Sequence, residues 1–471
     1  GSLRFYLTYS SEQQQGHFFY LPYLAWGWLT ARVGLPGAVG YHVGRVLAGL
    51  FFLWSAHRFL ARTLRPGGPL GLAWALAAIS SGLGWAALPF GHIAPDLWVP
   101  EAISFYSLFT NMHFPLATGL MLWLFLLCVD PGKDWERGRL EARRVALAAL
   151  CGAGLALALP FATFTVYPVL GASLVWKWWR TRRVPWADMW TVAASAVPVA
   201  VVGAYDLAVV ASDPLVRAWN AQDVNVSPPL WDVALAYGLV GLLAAWGAWW
   251  ACRTGQEGAA YLAVWAVVNL VMVYVPLPLQ RRLIMGLHVP LCGLAALGAG
   301  AWLARLGGAA RRRLGAAALV GVTAISNVVV VAIALSGAVA HDRHYFFSRA
   351  EAQAMAWLGA HAAPRSVVLA APSTSLFIPA RAGLQVVYGH PLETAYAAQR
   401  KGEVERFFAG DMSAEEEVQW LAARRVGYVL WGPAEQALGS GPPEARPYLV
   451  PVFQAGEVQV FRVDLAGAGG G

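Results

Sequence analysis

Residues 95–114, PDLWVPEAISFYSLFTNMHF, bring Asp96, Trp98, Glu101, Asn111 and His113 together with apolar residues between them. Carboxylates in such a setting can take a proton from a hydroxyl or bind sugar hydroxyls or a metal, and Trp98 and Phe105 can stack on a sugar ring. Ionisable groups in an apolar stretch point to a cavity lining, because facing them into lipid is costly. The same residues also suit an interfacial helix, with Pro100 in its first turn and Glu101 favoured by the N-terminal dipole. A second group, Gln280-Arg281-Arg282, follows the run VPLP. Paired guanidinium groups grip phosphate in bidentate fashion, and they can equally snorkel to lipid headgroups. A third, YGHPLET at 388–394, sets His390 and Glu393 behind a strand-like run, where loops often carry function. Glu393 also suits the first turn of a helix. The polar stretch 206–232 reads first as a solvated loop ending in Ser227-Pro228-Pro229 and second as an acceptor contact. His42, His57 and His288 read as packed or interfacial side chains, His288 lying one or two helical turns from the arginine pair.

The elements that must position these residues are membrane helices. The 471 residues are 58% hydrophobic and 13% charged, against about a quarter charged in soluble domains, and the mean hydropathy is +0.51. Apolar segments at 41–63, 69–89, 113–130, 144–160, 161–179, 188–211, 230–252, 258–276, 283–304 and 314–339 give about ten spans of about 20 residues. Pro160 falls between two of them, where a broken helix needs a protein or water lining. Arg and Lys collect in alternate loops: Arg58/Arg62/Arg65, Lys133/Arg137/Arg139/Arg143/Arg144, Lys177/Arg180/Arg182/Arg183, Arg253, and Arg305/Arg311/Arg312/Arg313. Basic loops stay in the cytoplasm, so residues 95–114 and the arginine pair face outward. Arg281 and Arg282 thus run against the positive-inside trend, which calls for a reason. The 23 Trp suit two interfacial belts. A net charge of +8 concentrated in these loops fits topology and anionic lipid, not nucleic acid. Cys128, Cys151, Cys252 and Cys292 all lie in apolar segments and read as buried thiols, not as a zinc site or disulfide framework.

The aromatic stretch 17–33, interrupted by Pro22, reads as a helix in the outer interface, since a span there would break the parity of the basic loops. The start shows no cleavable signal peptide, and with this topology the expectation is that a first transmembrane helix and part of the first outer loop precede it. Residues 341–464 alternate β-like runs, at 367–371, 385–389, 428–432 and 458–463, with helical stretches near 348–360, 393–409 and 414–425, as in a small α/β domain. The expected class is therefore mainly α: a polytopic helical membrane protein with an outward-facing α/β C-terminal domain. Its parts are 1–40, the rest of an outer loop with the interfacial helix; 41–340, the transmembrane domain; 341–464, the extracytoplasmic domain; and 465–471, a flexible tail.

Residues 16–61, GHFFYLPYLAWGWLTARVGLPGAVGYHVGRVLAGLFFLWSAHRFLA, resemble the GT-C superfamily of membrane glycosyltransferases, in the branch of protein O-mannosyltransferases and aminoarabinose transferases. His17-Phe18-Phe19-Tyr20 stands where that branch has P-P-L-Y, Gly34 matches its helix-ending glycine, and Arg45 with Ala48-Gly49-Leu50 stands where it has R-L-P-S-A-L-A-G-L. The resemblance implies transfer of a sugar from a polyprenyl-phosphate carrier to an acceptor, a glycan, lipid or protein, at the outer face of the plasma membrane. It implies inversion at the anomeric carbon. The family's catalytic acid is an Asp early in the first outer loop. This chain has no Asp before Asp96, and its only acid upstream of the helix is Glu12. An Asp upstream of these residues is the favoured account; Glu12 in its place, or a silent relative, are the others. The candidate catalytic residues are thus Glu12, Asp96 and Glu101. Trp98, Asn111, His113, Gln280, Arg281, Arg282, His390 and Glu393 are the candidate substrate contacts. No cofactor is assigned, and a divalent cation is left open.

No phosphate loop, HExxH or GxSxG motif is present. A transporter or flippase of a lipid-linked or anionic substrate is the rival reading. Transporters tend to show inverted repeats and midplane ionisable groups, whereas here such groups gather at the outer edge and no half-to-half similarity is found.

Overall fold

The computed structural model describes residues 4–129, 141–439 and 446–465. The basic residues Lys133, Arg137 and Arg139 and the tail 466–471 lie outside these. The chain divides into two compact units: residues 20–207 with 224–333, and residues 2–19 with 208–223 and 334–471.

The first unit is all helical. Among the described residues, four helices are long and apolar enough to cross a membrane: Gly37–Thr63, Trp186–Ser212, Leu230–Thr254 and Gln280–Leu303. Counting two bent pairs, Leu70–Ile79 with Gly84–Phe90 and Ala309–Thr323 with Ile325–Val339, the number rises to six. This corrects the expected ten. The apolar runs at 113–130 and 258–276 form the shorter helices His113–Cys128 and Glu257–Met272, each of 16 residues. Such a helix is about 24 Å long, short of a hydrocarbon core of about 30 Å. The run around Pro160 is divided by a 3-10 turn, Pro160–Ala162, between helices Ala142–Ala158 and Thr163–Thr181. Helix Leu21–Arg32 has 12 residues, about 18 Å, so it is too short to span alone.

Both bent pairs break where polar side chains can meet the freed backbone. At the first break the Ser81 N–H and Oγ donate to the Thr323 carbonyl at 2.6 and 2.7 Å, so this break meets the second. Asn327 Nδ2 donates to the Ile79 carbonyl at 2.8 Å. Asp96 Oδ2 accepts from the amides of Gly82 and Gly84, each at 3.1 Å. A Cβ on Gly84 would lie 2.1 Å from Asp96 Oδ1, so the carboxylate approaches only because the side chain is absent. Helix Leu230–Thr254 is kinked at Gly238, with φ 42°, and its Leu235 carbonyl accepts from the Leu83 amide at 3.0 Å.

Around these breaks the packing is close. The segment 288–303 is almost wholly buried and lies against helix Leu230–Thr254 through small residues, which let backbones approach. Phe59, Phe125, Tyr261 and Trp265 form a buried aromatic cluster, with Phe125 and Trp265 centroids 4.6 Å apart. Arg144 and Lys177, two of the loop cations, both pair with buried Asp188, Arg144 at 2.6 Å. They therefore join three helices as well as marking topology. The cysteines are free; Cys128 and Cys292 are buried, Cys151 is half-buried, and Cys252 is exposed on its helix, against the expectation of four buried thiols.

The second unit holds a five-stranded sheet of order β2-β1-β3-β5-β4, where β1 is Val367–Leu369, β2 Gln385–Val386, β3 Val426–Trp431, β4 Leu449–Ala455 and β5 Val458–Val463. Pairs β2–β1 and β1–β3 are parallel; β3–β5 and β5–β4 are antiparallel. Helices Arg349–His361 and Ala414–Arg424 each begin in a capping box, Ser348 with Glu351 and Ser413 with Glu416. Strand β4 was not expected: Pro451 interrupts its pattern, and the strand survives as the sheet edge, where proline is tolerated. Residues 2–19 and 208–223 join this unit and not the outer-loop and transmembrane segments in which the sequence grouped them. The Val386 amide donates to the Thr8 carbonyl at 3.0 Å. Asp213 caps helix Pro214–Gln222, accepting from Leu215 and Val216 amides at 2.8 and 3.3 Å, while His17 Nε2 lies 2.8 Å from its other oxygen.

Two outcomes follow from this packing. A Cβ at Gly247 would sit 1.9 Å from the Leu294 carbonyl oxygen, so Gly247→Ala should destabilise the protein by about 1–3 kcal/mol, read as a lowered unfolding midpoint in detergent. Against the desolvation of its site, the bonds from His17 and the two amides hold the Asp213 carboxyl below its ordinary range. Its stabilisation is therefore complete above about pH 4 and is lost as pH falls through the lower folded value. Asp213→Ala should cost about 0.5–2 kcal/mol at neutral pH, with the gap to wild type closing toward pH 2 in paired unfolding curves.

Candidate functional site

The arginine pair lies in a 3-10 turn, Gln280–Ile284, just ahead of the buried helix His288–Leu303. Prolines at 276 and 278 leave the preceding backbone without amide donors there, and the segment 225–227 supplies the missing bonds. The Asn225 amide donates to the Pro278 carbonyl at 2.6 Å, and the Arg281 amide donates to the Asn225 carbonyl at 3.0 Å. The Ser227 amide donates to Gln280 Oε1 at 3.3 Å. The Arg281 guanidinium donates to Asn225 Oδ1 and lies over the Trp98 ring, 4.8 Å from its centroid. Arg282 lies over Phe161 at 5.3 Å. Aromatic faces hold such cations without neutralising them.

The positive charge of Arg282 bears on His113. His113 opens helix His113–Cys128, and its Nδ1 accepts from the Tyr23 hydroxyl at 2.7 Å. Tyr23 stacks on Tyr41 at 6.4 Å, and the Tyr41 hydroxyl donates to the Thr110 carbonyl at 2.7 Å. Asn111 Nδ2 donates to Thr110 Oγ1 at 3.1 Å. Trp98, Asn111, His113, Gln280, Arg281 and Arg282 thus form one neighbourhood. Tyr23, Tyr41 and Phe161 belong to it and were missed; their sequence context is indistinguishable from the other interfacial aromatics. Asn225 was visible only as one polar residue of a long loop.

Glu101 is buried and lines a small pocket with Ser104, Ser107, Thr118 and His288. His288 accepts at Nδ1 from the Ser104 amide at 3.3 Å and meets Ser80 Oγ through Nε2 at 3.1 Å, so both ring nitrogens are engaged. Asp96 is fully buried with its carboxylate turned to the Gly82 and Gly84 amides. In the second unit, Glu12 Oε1 accepts from Arg400 at 2.8 Å and from Arg424 at 3.0 Å. His390 Nδ1 accepts from the amides of Leu392 and Glu393, each at 3.1 Å, and burial holds its imidazole below the usual range. That bonding fixes the loop leading into Glu393. Among the described residues, no three His, Cys, Asp or Glu side chains lie close enough to hold a metal ion. Asp96 and Glu101 are part of no such set.

Asn225→Ala removes the oxygen that receives the half-buried Arg281 guanidinium. The expected cost is about 1.5–3 kcal/mol, the range for a hydrogen bond to a charged group, measured as a lower unfolding midpoint.

No family model and no curated protein matches this chain. Solved structures do. The oligosaccharyltransferase of Archaeoglobus fulgidus, crystallised with Zn and sulfate, superposes with a TM-score of 0.50 at 13% identity, covering 98% of this chain and 66% of that one. ArnT from Cupriavidus metallidurans in the apo state gives 0.48 at 14% identity, covering 89% and 83%. The A. fulgidus oligosaccharyltransferase AglB in complex with an inhibitory peptide and a dolichol-phosphate gives 0.43 at 13%, covering 86% and 61%. This chain therefore spans about two thirds of the length of the archaeal enzyme. The chain has the fold of the GT-C glycosyltransferases.

Proposed function

We propose that this protein is an integral membrane glycosyltransferase that moves a sugar from a polyprenyl-phosphate carrier to an acceptor at the outer face of the plasma membrane. The observation that carries the reading is the paired Arg281 and Arg282, held at one end of a buried helix by Asn225, Trp98 and Phe161. Two guanidinium groups set side by side on aromatic faces have the chemistry to meet a phosphate. Such a site stabilises the charge that grows on a departing phosphate. The carrier's isoprenoid chain would run along the apolar helix faces. Trp98, Asn111 and His113 lie beside the pair and would contact the sugar, with Gln280 fixing the turn. Glu101 would bind a sugar hydroxyl. The dolichol-phosphate bound by the archaeal neighbour is a donor carrier of the same chemistry.

In this reading Asp96 holds the broken helix, and Glu12, His390 and Glu393 shape the second unit, which we place outside the cell. The acceptor contacts would lie on that side. The broken spans are a feature that transporters share, and a carrier-lipid assay separates the two accounts.

Native mass spectrometry of the full-length protein should find co-purified polyprenyl phosphate or its sugar conjugate. Arg281→Ala with Arg282→Ala should weaken that binding at least tenfold, since each charge-assisted contact contributes about 1.5–3 kcal/mol. Unchanged carrier binding would sink the phosphate role. Ordinary phospholipid alone, in a folded protein, would favour the transporter or a silent relative.

A further inference from the structure

Four tryptophans flank the turn between helices Thr163–Thr181 and Trp186–Ser212: Trp178 and Trp179 before it, Trp186 and Trp190 after it. Each is more than half exposed. Indole rings favour the headgroup level of a bilayer. The same short stretch carries Lys177, Arg180, Arg182 and Arg183.

The partners of these cations divide them into two sets. Lys177 pairs with buried Asp188, as Arg144 does. Arg180 Nε lies 3.3 Å from Glu257 Oε1. Beside that pair, Arg65 donates to the Gly255 carbonyl at 3.2 Å. Arg182 and Arg183 are exposed and meet no carboxylate among the described residues. Arg182 ends its helix in the left-handed region, φ 53°, with its amide donating to the Trp178 carbonyl at 2.8 Å. Its guanidinium lies over the Trp179 ring, 5.9 Å from the centroid. The Arg183 amide donates to Thr181 Oγ1 at 3.3 Å. The turn itself thus holds the backbone of both arginines, while their charges stay exposed.

The helix that follows is thinly supported. Among the four helices long and apolar enough to span, Trp186–Ser212 is the least buried, 11% against 28% for the next. Its ties lie in the half nearest the turn: Asp188 with its two cations, the Tyr167 hydroxyl 3.3 Å from Ser195 Oγ, and the close approach of Gly152 to the Ser195 carbonyl. Farther along, Val197, Val201 and Leu207 are exposed.

By the positive-inside rule this turn lies at the cytoplasmic leaflet, where anionic lipids collect. We propose that the turn is a binding site for the headgroup of an anionic phospholipid, and that the bound lipid pins helix Trp186–Ser212 to the bundle. The phosphodiester accepts from the Arg182 and Arg183 guanidinium groups. The acyl chains lie along the exposed indoles and Val184. Trp179 and Trp190, on the two helices, then share one ligand. The site does not depend on the transferase reading.

The test is native mass spectrometry of the full chain, titrated with phosphatidylglycerol or with phosphatidylcholine of the same acyl chains. Wild type should bind phosphatidylglycerol in preference. Arg182→Gln with Arg183→Gln should weaken that binding about 30-fold. Arg65→Gln with Arg180→Gln removes the same charge from cations already held by protein partners, and should leave it nearly unchanged. Phosphatidylglycerol should also raise the unfolding midpoint of wild type and not that of the Arg182/Arg183 variant. Equal binding of the two lipids by wild type overturns the site. So does equal weakening by the two double variants, which would report net charge alone. Preferential binding with no rise in the midpoint overturns the pinning role.

Discussion

A backbone amide or carbonyl left unpaired in hydrocarbon costs several kcal/mol, and much of the first unit is arranged around that cost. Its apolar segments do not run straight through. They break at 80–83, at Ala324 and at Gly238, and each break is met by a partner from another segment: Ser81 with Thr323, Asn327 with Ile79, Asp96 with Gly82 and Gly84, and Leu83 with Leu235. Because the breaks satisfy one another, they must sit side by side. That requirement fixes which helices are neighbours, and the outer loops between them inherit their positions.

The same logic explains the arginine turn. Prolines at 276 and 278 cannot donate, so residues 225–227 dock there, and in docking they place Asn225 on the Arg281 guanidinium. The setting of the arginine pair is thus a by-product of backbone satisfaction reinforced by Trp98. The Arg281 guanidinium rests on an amide oxygen and an aromatic face. Elsewhere in the unit, Arg144 and Lys177 pair with the Asp188 carboxylate.

Much of this was legible in the sequence. The charge anomaly of Arg281 and Arg282 singled them out, and the local crowding of 95–114 led to Trp98, Asn111 and His113. The helix and strand pattern after residue 341 reappears with small boundary shifts. What was not legible depends on contacts distant in sequence. Apolarity alone does not reveal where a span breaks, which is why ten segments reduce to four or six spanning units among the described residues. Tyr23 and Tyr41 look like any belt aromatics until His113 comes near. Asp96 was expected as a candidate acid; its two glycine amides come from a turn 12–14 residues upstream, and no spacing rule reports that bond.

The second unit joins residues 2–19 and 208–223 to the residues after 334, and this has a consequence for biogenesis. Glu12 meets its arginine partner 388 residues later. At about 5–20 residues per second, the early segment waits roughly 20 to 80 s for its sheet and helices to be synthesised. Phe5 and Phe19 wait for Trp219, and Tyr9 waits longer, for the Leu376 carbonyl that accepts from its hydroxyl. The nascent segment is therefore a natural client for chaperones or for the membrane interface itself until the residues after 334 arrive.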